Sequence, residues 1–541
     1  MVVPFALASL LLGALVAPSA AASTPSVNWK NVTGTSSEAY PTDVGMLGPT
    51  EFGAAPFVAQ KDRVNSTSIP NSAIEMRWKP KNADKDHATS DDIFRNLGEM
   101  SPYHPADDLF PETNAYQNVP EQCKIEQVHI LQRHGARYPT SSEVEAAPIF
   151  GKAVKNATKA KKFKATGELE FLNSWNYSLG SQVLVHQGAK ENFDAGVQAY
   201  YNYAHLLSNY SKKLVLRTTS QSRMLDTARY WMLGFFGWDA SDKAHLAVLA
   251  ENEKQNTTLA SYYDCPNSDN TSYAFGNKMS REWEKVYLKD ATARLQKDIQ
   301  GVKLTPYLVY GMMQLCAYET VGMGYSNFCP LFTKQEWEHF EYDTDLQYQG
   351  QYGFMNPSGR AQGMGWATEF LDRLTNKTFS GSLTSQNSTI DKNSTYFPLK
   401  QPLYVDFTHD NIIHSALVAM NYTQFADFLP VDKPDPKRRY RASRLTPFAA
   451  RLVYEVMECK EGGKTDKYIR TKINQALIPM DKDQGCEKRK DGLCKLQDFT
   501  QHQLKHAFKD ANFKAACFGK NGTDFIVTGP VHNGTVASLK H

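Results

Sequence analysis

No apolar run in this 541-residue chain reaches the ~20 residues that a membrane-crossing helix needs. Nor is there a long block of Lys and Arg. With 60 Lys plus Arg against 57 Asp plus Glu, the formal net charge is only +3, which argues against a nucleic-acid binder or a membrane-surface protein. Any attraction for anions must then be local. None of the cysteines forms a C-x-x-C pair, which sets a zinc site aside. A P-loop, an H-E-x-x-H helix and a carboxylate-rich metal signature are likewise missing, so the chemistry is expected to need no metal or other cofactor.

Residues Val2 to Ala17 are apolar and uncharged, and Pro18-Ser19-Ala20-Ala21-Ala22 follows with the small residues that a signal peptidase requires. Residues 1–22 therefore read as a cleaved secretion signal, with no membrane attachment afterwards. Thirteen Asn-X-Ser/Thr sequons agree with export: Asn31, Asn65, Asn156, Asn176, Asn209, Asn256, Asn270, Asn376, Asn387, Asn393, Asn421, Asn521 and Asn533. The nine from Asn156 to Asn421 are the glycosylation candidates. Eight cysteines, an even number, fit an oxidising compartment and up to four disulfides among ~105 possible pairings. Cys316 and Cys329, and Cys486 and Cys494, are near enough in sequence to close local loops, whereas Cys123, Cys265, Cys459 and Cys517 need distant partners. The predicted location is extracellular or cell-wall.

Residues 23–118 are rich in Ser, Thr, Pro, Asn, Asp and Gly with little apolar periodicity, and read as an extension, partly irregular, that wraps the body. From residue 119 the texture changes. Lys124 to Leu131 is a buried-type strand, 168–209 looks helical with interruptions, 213–217 is a second strand and 222–235 a helix. Residues 239–345 carry helix formers and no good strand, as in Glu282-Trp283-Glu284-Lys285, and read as a helical insertion. A helix is predicted from Pro357-Ser358-Gly359 to about Leu374, and strand-like segments return at 402–407, 449–457 and 468–473. The order is that of an α/β protein: a mostly parallel or mixed central sheet with helices on both faces, made of 119–238 and 346–541, plus the helical subdomain. Catalytic loops are expected at the carboxyl ends of its parallel strands.

The first strand runs into Arg133-His134-Gly135-Ala136-Arg137-Tyr138-Pro139. Two guanidiniums flanking an imidazole in a Gly/Pro turn make a fork of donors for phosphate oxygens around a nucleophile. Five fixed positions of this kind recur by chance in on the order of one chain in ten thousand, which favours function over a basic surface turn. A second strand, Tyr404-Val405-Asp406-Phe407-Thr408, ends in His409-Asp410-Asn411 before an apolar helix. Alone, His-Asp reads as a helix cap. At a strand end opposite the first motif it becomes part of a constellation.

Together these segments resemble the histidine acid phosphatases, the acid branch of the histidine phosphatase superfamily, whose signature is Arg-His-Gly-x-Arg-x-Pro followed far downstream by His-Asp. The similarity runs from about Pro102 to Asn521. Asn176-Tyr177-Ser178-Leu179-Gly180 and Pro447-Phe448-Ala449-Ala450-Arg451-Leu452 look closest to fungal phytases and acid phosphatases. The resemblance implies a phosphoglycerate mutase-like fold, the pairs Cys123–Cys459, Cys265–Cys517, Cys316–Cys329 and Cys486–Cys494, and a further phosphate-binding arginine at Arg223. It implies that His134 attacks phosphorus and becomes a phosphohistidine, that Arg133, Arg137, Arg223 and His409 hold the phosphate oxygens, and that Asp410 protonates the leaving group. Surrounding positive charge should keep His134 unprotonated below the ~6.5 of free histidine, and an Asp410 near ~3.9 should weight activity to low pH.

His129 and His414 read as structural histidines, and Lys159, Lys161, Lys162 and Lys164 as a solvated charge run. Strict fungal phytases carry lysines upstream of Asn-Tyr-Ser-Leu-Gly where this chain has Glu168 and Asn173, and a carboxylate there would repel a polyphosphate. The expectation is a broad phosphomonoesterase acting on small molecules, with a phytase as the alternative. A phosphohistidine mutase and a non-catalytic secreted binder are the readings from other classes.

Overall fold

Strand β1 spans Cys123–Arg133 and is buried along its second half, as an apolar run reading Val-His-Ile-Leu should be at the centre of a sheet. The computed structural model to which it belongs describes residues 88–140, 145–252, 255–270, 272–378 and 384–539. The signal segment 1–22, residues 23–87 of the extension, and the sequons Asn31 and Asn65 lie outside the described residues.

The other strands of the central sheet are β2 (Leu214–Thr219), β3 (Ala244–Leu249), β4 (Leu403–Thr408), β5 (Arg451–Glu461), β6 (Lys464–Ile473), β7 (Ala476–Ile478) and β8 (Cys494–Lys495). Their order is β8-β6-β5-β1-β4-β2-β3, with β7 beside β6. Strands β1, β4, β2 and β3 are parallel to their neighbours, whereas β5 returns antiparallel on β1 and turns into β6 through Gly462 and Gly463, whose φ angles of 57° and 78° suit a two-residue hairpin. The sheet is thus mixed, and β2 and β4 are buried at every position.

Helices cover both faces. On one, α2 (His186–Tyr203) and α3 (Ser222–Phe236) pack over Val128, Ile130, Leu216 and Val405. A Cβ at Gly196 of α2 would fall 2.1 Å from the Trp231 carbonyl oxygen of α3, so these two helices approach backbone to backbone. On the other face lie α6 (Gly359–Thr375), α7 (Asp410–Ala419) and α8 (Leu496–Ala511), and with α1 (Ala146–Lys159), α4 (Pro306–Met323), α5 (Lys334–Gln351), Leu131 and Tyr454 they form the larger core. Ile93, Leu97 and Phe110 are wholly buried in that core, so the chain is part of the body from residue 88 onward.

Two expectations fail locally. Ala244–Leu249, which falls in the block read as helical and without good strands, is the edge strand β3 in parallel register with β2; pairing overrides propensity there. The stretch predicted helical from 168 begins instead with a short 3₁₀ segment, Gly167–Asn173, and α2 starts only at His186, because Ser178, Gly180 and Ser181 interrupt it.

The cysteines pair Cys123–Cys459, Cys265–Cys517, Cys316–Cys329 and Cys486–Cys494, leaving none free. The first joins register partners on β1 and β5 that are 336 residues apart in sequence. Among the described residues no helix is long and apolar enough to cross a membrane.

Candidate active site

Arg133 ends β1 and faces Thr408 at the end of β4, so parallel pairing brings the two motifs side by side at the carboxyl edge of the sheet. The His134 amide donates to the Thr408 carbonyl at 3.2 Å, and the Ala449 amide donates to the His134 carbonyl at 2.9 Å. The His134 backbone is therefore fixed from both neighbouring strands. Gly135 must be glycine because a Cβ there would sit 2.3 Å from the Gly188 carbonyl oxygen at the start of α2.

The His134 ring is buried, and its Nδ1 lies 2.9 Å from the Gly135 carbonyl oxygen. A carbonyl only accepts, so Nδ1 carries the hydrogen and Nε2 keeps its lone pair. Burial, then Arg133, Arg223, Arg137 and His409, hold the imidazole well below its usual pKa. A neutral histidine presenting Nε2 is a nucleophile, not an acid.

Arg133 is fully buried. Its Nη1 donates to the carbonyls of Thr446, at 2.7 Å, and Glu99, and its Nη2 lies 2.5 Å from Asp410 Oδ2. Arg137 donates through Nη1 to the Tyr138 carbonyl at 2.9 Å, and Arg223, at the start of α3, donates through Nη1 to Gln182 Oε1 at 3.0 Å. The Nε atoms of all three arginines are buried without a partner. Burial and the neighbouring Arg137 lower Arg223 to about 10, which leaves it charged. Three guanidiniums with orphaned donors around one imidazole fit a phosphate group.

His409 caps α7, with its ring centroid 5.7 Å from that of His134, and its Nε2 lies 2.9 Å from Glu251 Oε1. Burial would raise the Glu251 carboxyl, but hydrogen bonds from His409, Thr219 and Tyr262 outweigh it and keep Glu251 ionised. Asp410 opens α7 and its Oδ1 accepts from the Asn411 amide at 2.8 Å. Burial would lift Asp410 too, yet Arg133, Arg137 and His409 hold it down at about 2. This departs from the expected value near ~3.9, and the cause is the direct ion pair with Arg133.

The sequence reading did not single out three groups that meet here. Glu251 follows β3, and recognising that strand would have placed it at a parallel strand's carboxyl end. Tyr262 donates to Glu251 Oε2 at 3.0 Å. Glu99 lies in the segment read as extension; its Oε2 is buried without a partner, and burial, with Asp410 adding to the effect, raises its carboxyl to about 7. It interacts electrostatically with Arg133, Arg137 and Asp410, and with Tyr310 and Tyr318 of α4, Tyr348 of α5 and Tyr352 beyond it.

The remaining residues lie elsewhere or are structural. His129 stacks on Tyr404 with centroids 4.7 Å apart, and His414 is bonded to Thr446 Oγ1 at 2.7 Å and to the Tyr440 hydroxyl at 2.8 Å. Lys159, Lys161, Lys162 and Lys164 are exposed. Asn173 bonds the backbone of Ala165 at 2.9 and 2.7 Å, and the exposed Glu168 lies 3.7 Å from Arg294.

Residues 124–474 match the profile of the histidine phosphatase superfamily, branch 2. Phytase A of Aspergillus oryzae is 32% identical over 422 residues, covering 75% of this chain and 86% of that protein. A Phytase A of Aspergillus terreus is 31% identical over 453 residues, covering 80% and 93%. Among solved structures, the phytase from D. castellii matches with a TM-score of 0.65 at 24% identity, over 80% of this chain and 88% of that one. The multiple inositol polyphosphate phosphatase of Bifidobacterium longum, in complex with inositol hexasulfate, matches with a TM-score of 0.53 at 15% identity, over 74% and 96%. These two likenesses speak for the fold. With the sequence relatives and the profile, they establish that the chain belongs to branch 2 of the histidine phosphatase superfamily and is a phosphoric monoester hydrolase.

Proposed function

We propose that the protein is an exported acid phosphatase that hydrolyses phosphomonoesters of broad structure through a phosphohistidine at His134. The observation that carries this reading is the neutral His134 ring with Nε2 free, among three buried arginines whose Nε donors are unpartnered. In the first step Nε2 attacks phosphorus while the bond to the leaving oxygen breaks, and Asp410 supplies the proton which that oxygen needs. In the second, water attacks the phosphohistidine, gives its proton to Asp410, and inorganic phosphate leaves with His134 neutral again. Arg133, Arg137, Arg223 and His409 hold the oxygens on which charge accumulates.

Asp410 held at about 2 is a poor acid in the free protein. An arriving phosphate takes over the attraction of Arg133 and sets negative charge beside the carboxyl, and both effects raise its pKa. Substrate binding thereby makes the acid. A second reading, preference for phytate itself, is favoured by the name that the relatives bear. The place of Asn173, bonded to backbone, and of Glu168, a carboxylate, supports the broad one.

The test is release of inorganic phosphate from p-nitrophenyl phosphate and from phytate across the acid range, with and without EDTA, for wild type and His134→Ala. EDTA-resistant release that the variant loses is the expected result, and the ratio of the two substrates decides breadth. A variant as active as the parent would sink the phosphohistidine, and phosphate retained on the product would bring a mutase forward.

A further inference from the structure

A cavity of about 280 Å³ opens between α2, the face of β1 and β5 that carries Ile130 and Val453, and the segment that runs from Tyr103 to Asn118. None of the residues assigned to the phosphate lines it. Its volume is near the lower end of the ~300–1,000 Å³ usual for small-molecule sites.

One wall of the cavity is Arg451, on the strand opposite Gln132. The residue is 8% exposed, and its guanidinium lies 3.9 Å from the ring centre of Tyr103, which also lines the cavity. Its Nη1 donates to Gln198 Oε1, and its Nε is buried without a partner. No carboxylate forms an ion pair with it among the described residues. Of the acidic groups that act on it, Glu191 accepts from the Ala136 amide at 2.8 Å and Asp194 is paired with Lys190, and Asp107, which also lines the cavity, is exposed to water. Other buried arginines of this sheet are matched, Arg470 by Glu455 at 2.6 Å and Arg217 by Asp406 at 2.8 Å. A buried cation with an aromatic ring and an amide for company is short of one negative charge.

Ile130, Ala195, Ala199 and Val453 form an apolar part of the wall, and Asp107, Asn114, Asn202 and Lys472 belong to its polar part. A planar guanidinium above such a floor matches a planar carboxylate on an apolar body. We propose that this cavity is a second ligand site, which takes a small carboxylate whose charge pairs with Arg451 and whose body lies against Ile130, Ala199 and Val453. The site does not depend on the reaction assigned to His134.

Benzoate is the probe, followed by ligand-observed NMR with inorganic phosphate added to occupy the catalytic cleft. Saturable binding is expected, with benzyl alcohol, which has nearly the same shape and no charge, weaker by roughly tenfold or more. Arg451→Gln should remove the charge, and Asn114→Trp, at an exposed residue of the lining, should block the cavity; each should weaken benzoate by roughly tenfold while kcat/KM for p-nitrophenyl phosphate stays within about twofold. Absence of benzoate binding, displacement of benzoate by phosphate, or equal binding of the neutral probe would overturn the proposal. Should Arg451→Gln fail to fold, Asn114→Trp and the neutral probe decide alone, and undiminished binding in the Trp variant would also overturn it.

Discussion

In the proposed reaction, the hydrogen on Nδ1 of His134 and the ion pair on Asp410 divide the work between two residues before any substrate arrives. Asp410→Asn keeps the shape of the acid and removes its proton. For an alkyl phosphate, whose leaving oxygen must be protonated, kcat should fall about 10²–10⁴-fold, whereas p-nitrophenyl phosphate, with a good leaving group, should lose much less. Stopped-flow and steady-state rates on the two substrates check this, and equal losses on both would remove Asp410 from the acid role. Glu99 is expected to shape the other end of the pH profile. Its carboxyl, raised to about 7 by burial, is neutral in acid and ionises above that pH, where it sets a negative charge beside Arg133 and the incoming phosphate. In Glu99→Gln the alkaline limb of kcat/KM should therefore move upward, and a profile that superposes on the wild type would show that Glu99 does not face the substrate.

At the level of elements, the site exists because β1 and β4 are parallel neighbours, so that two segments far apart in sequence end together. That arrangement was legible. Val128 to Leu131 and, apart from Asp406, Leu403 to Phe407 are mainly apolar runs ending in polar clusters, and the helices after β2 and β4 begin where Ser222 and Asp410 stand. Strand β3 was not legible, because Ala-His-Leu-Ala-Val-Leu satisfies a helix as well as an edge strand, and Glu251 stayed hidden with it. The value near ~3.9 assigned to Asp410 missed for a related reason: an ion pair between β1 and α7 is a tertiary fact. Beneath the site, Asp406 of β4 binds Arg217 at 2.8 Å and Arg373 at 2.7 Å, all three buried. Burial would raise the Asp406 carboxyl, but the two arginines outweigh it and hold it far below the usual range. Its stabilisation is present above the unfolded value of ~3.9 and is lost only as pH falls through the depressed folded one, so the strand end stays organised in acid. Asp406→Asn should cost about 3–5 kcal/mol, read by urea unfolding, and the loss should shrink toward the lowest pH. A variant as stable as the parent would show that the network contributes little.

For the molecule as a whole, two cores packed against the central sheet leave most of the described sequons at the surface. Asn156, Asn176, Asn209, Asn256, Asn376, Asn393 and Asn533 are exposed. Asn421 is half-buried: its Nδ2 donates to the Asp483 carbonyl at 2.8 Å and its Oδ1 accepts from Arg360 at 3.0 Å. A glycan on that nitrogen would displace the bond, so peptide mapping of the protein from a eukaryotic host should find sugar on exposed sites such as Asn156, Asn209, Asn376 and Asn393 and none on Asn421. Full occupancy at Asn421 would contradict the packing around it.

The disulfide between Cys123 and Cys459 joins positions 336 apart in sequence, on the strand that leads to His134 and on its antiparallel neighbour. A protease that cuts once inside that span therefore produces no free fragment. The two pieces remain one covalent body, held at the root of β1, and a nicked molecule would migrate as a single species until a reductant is added.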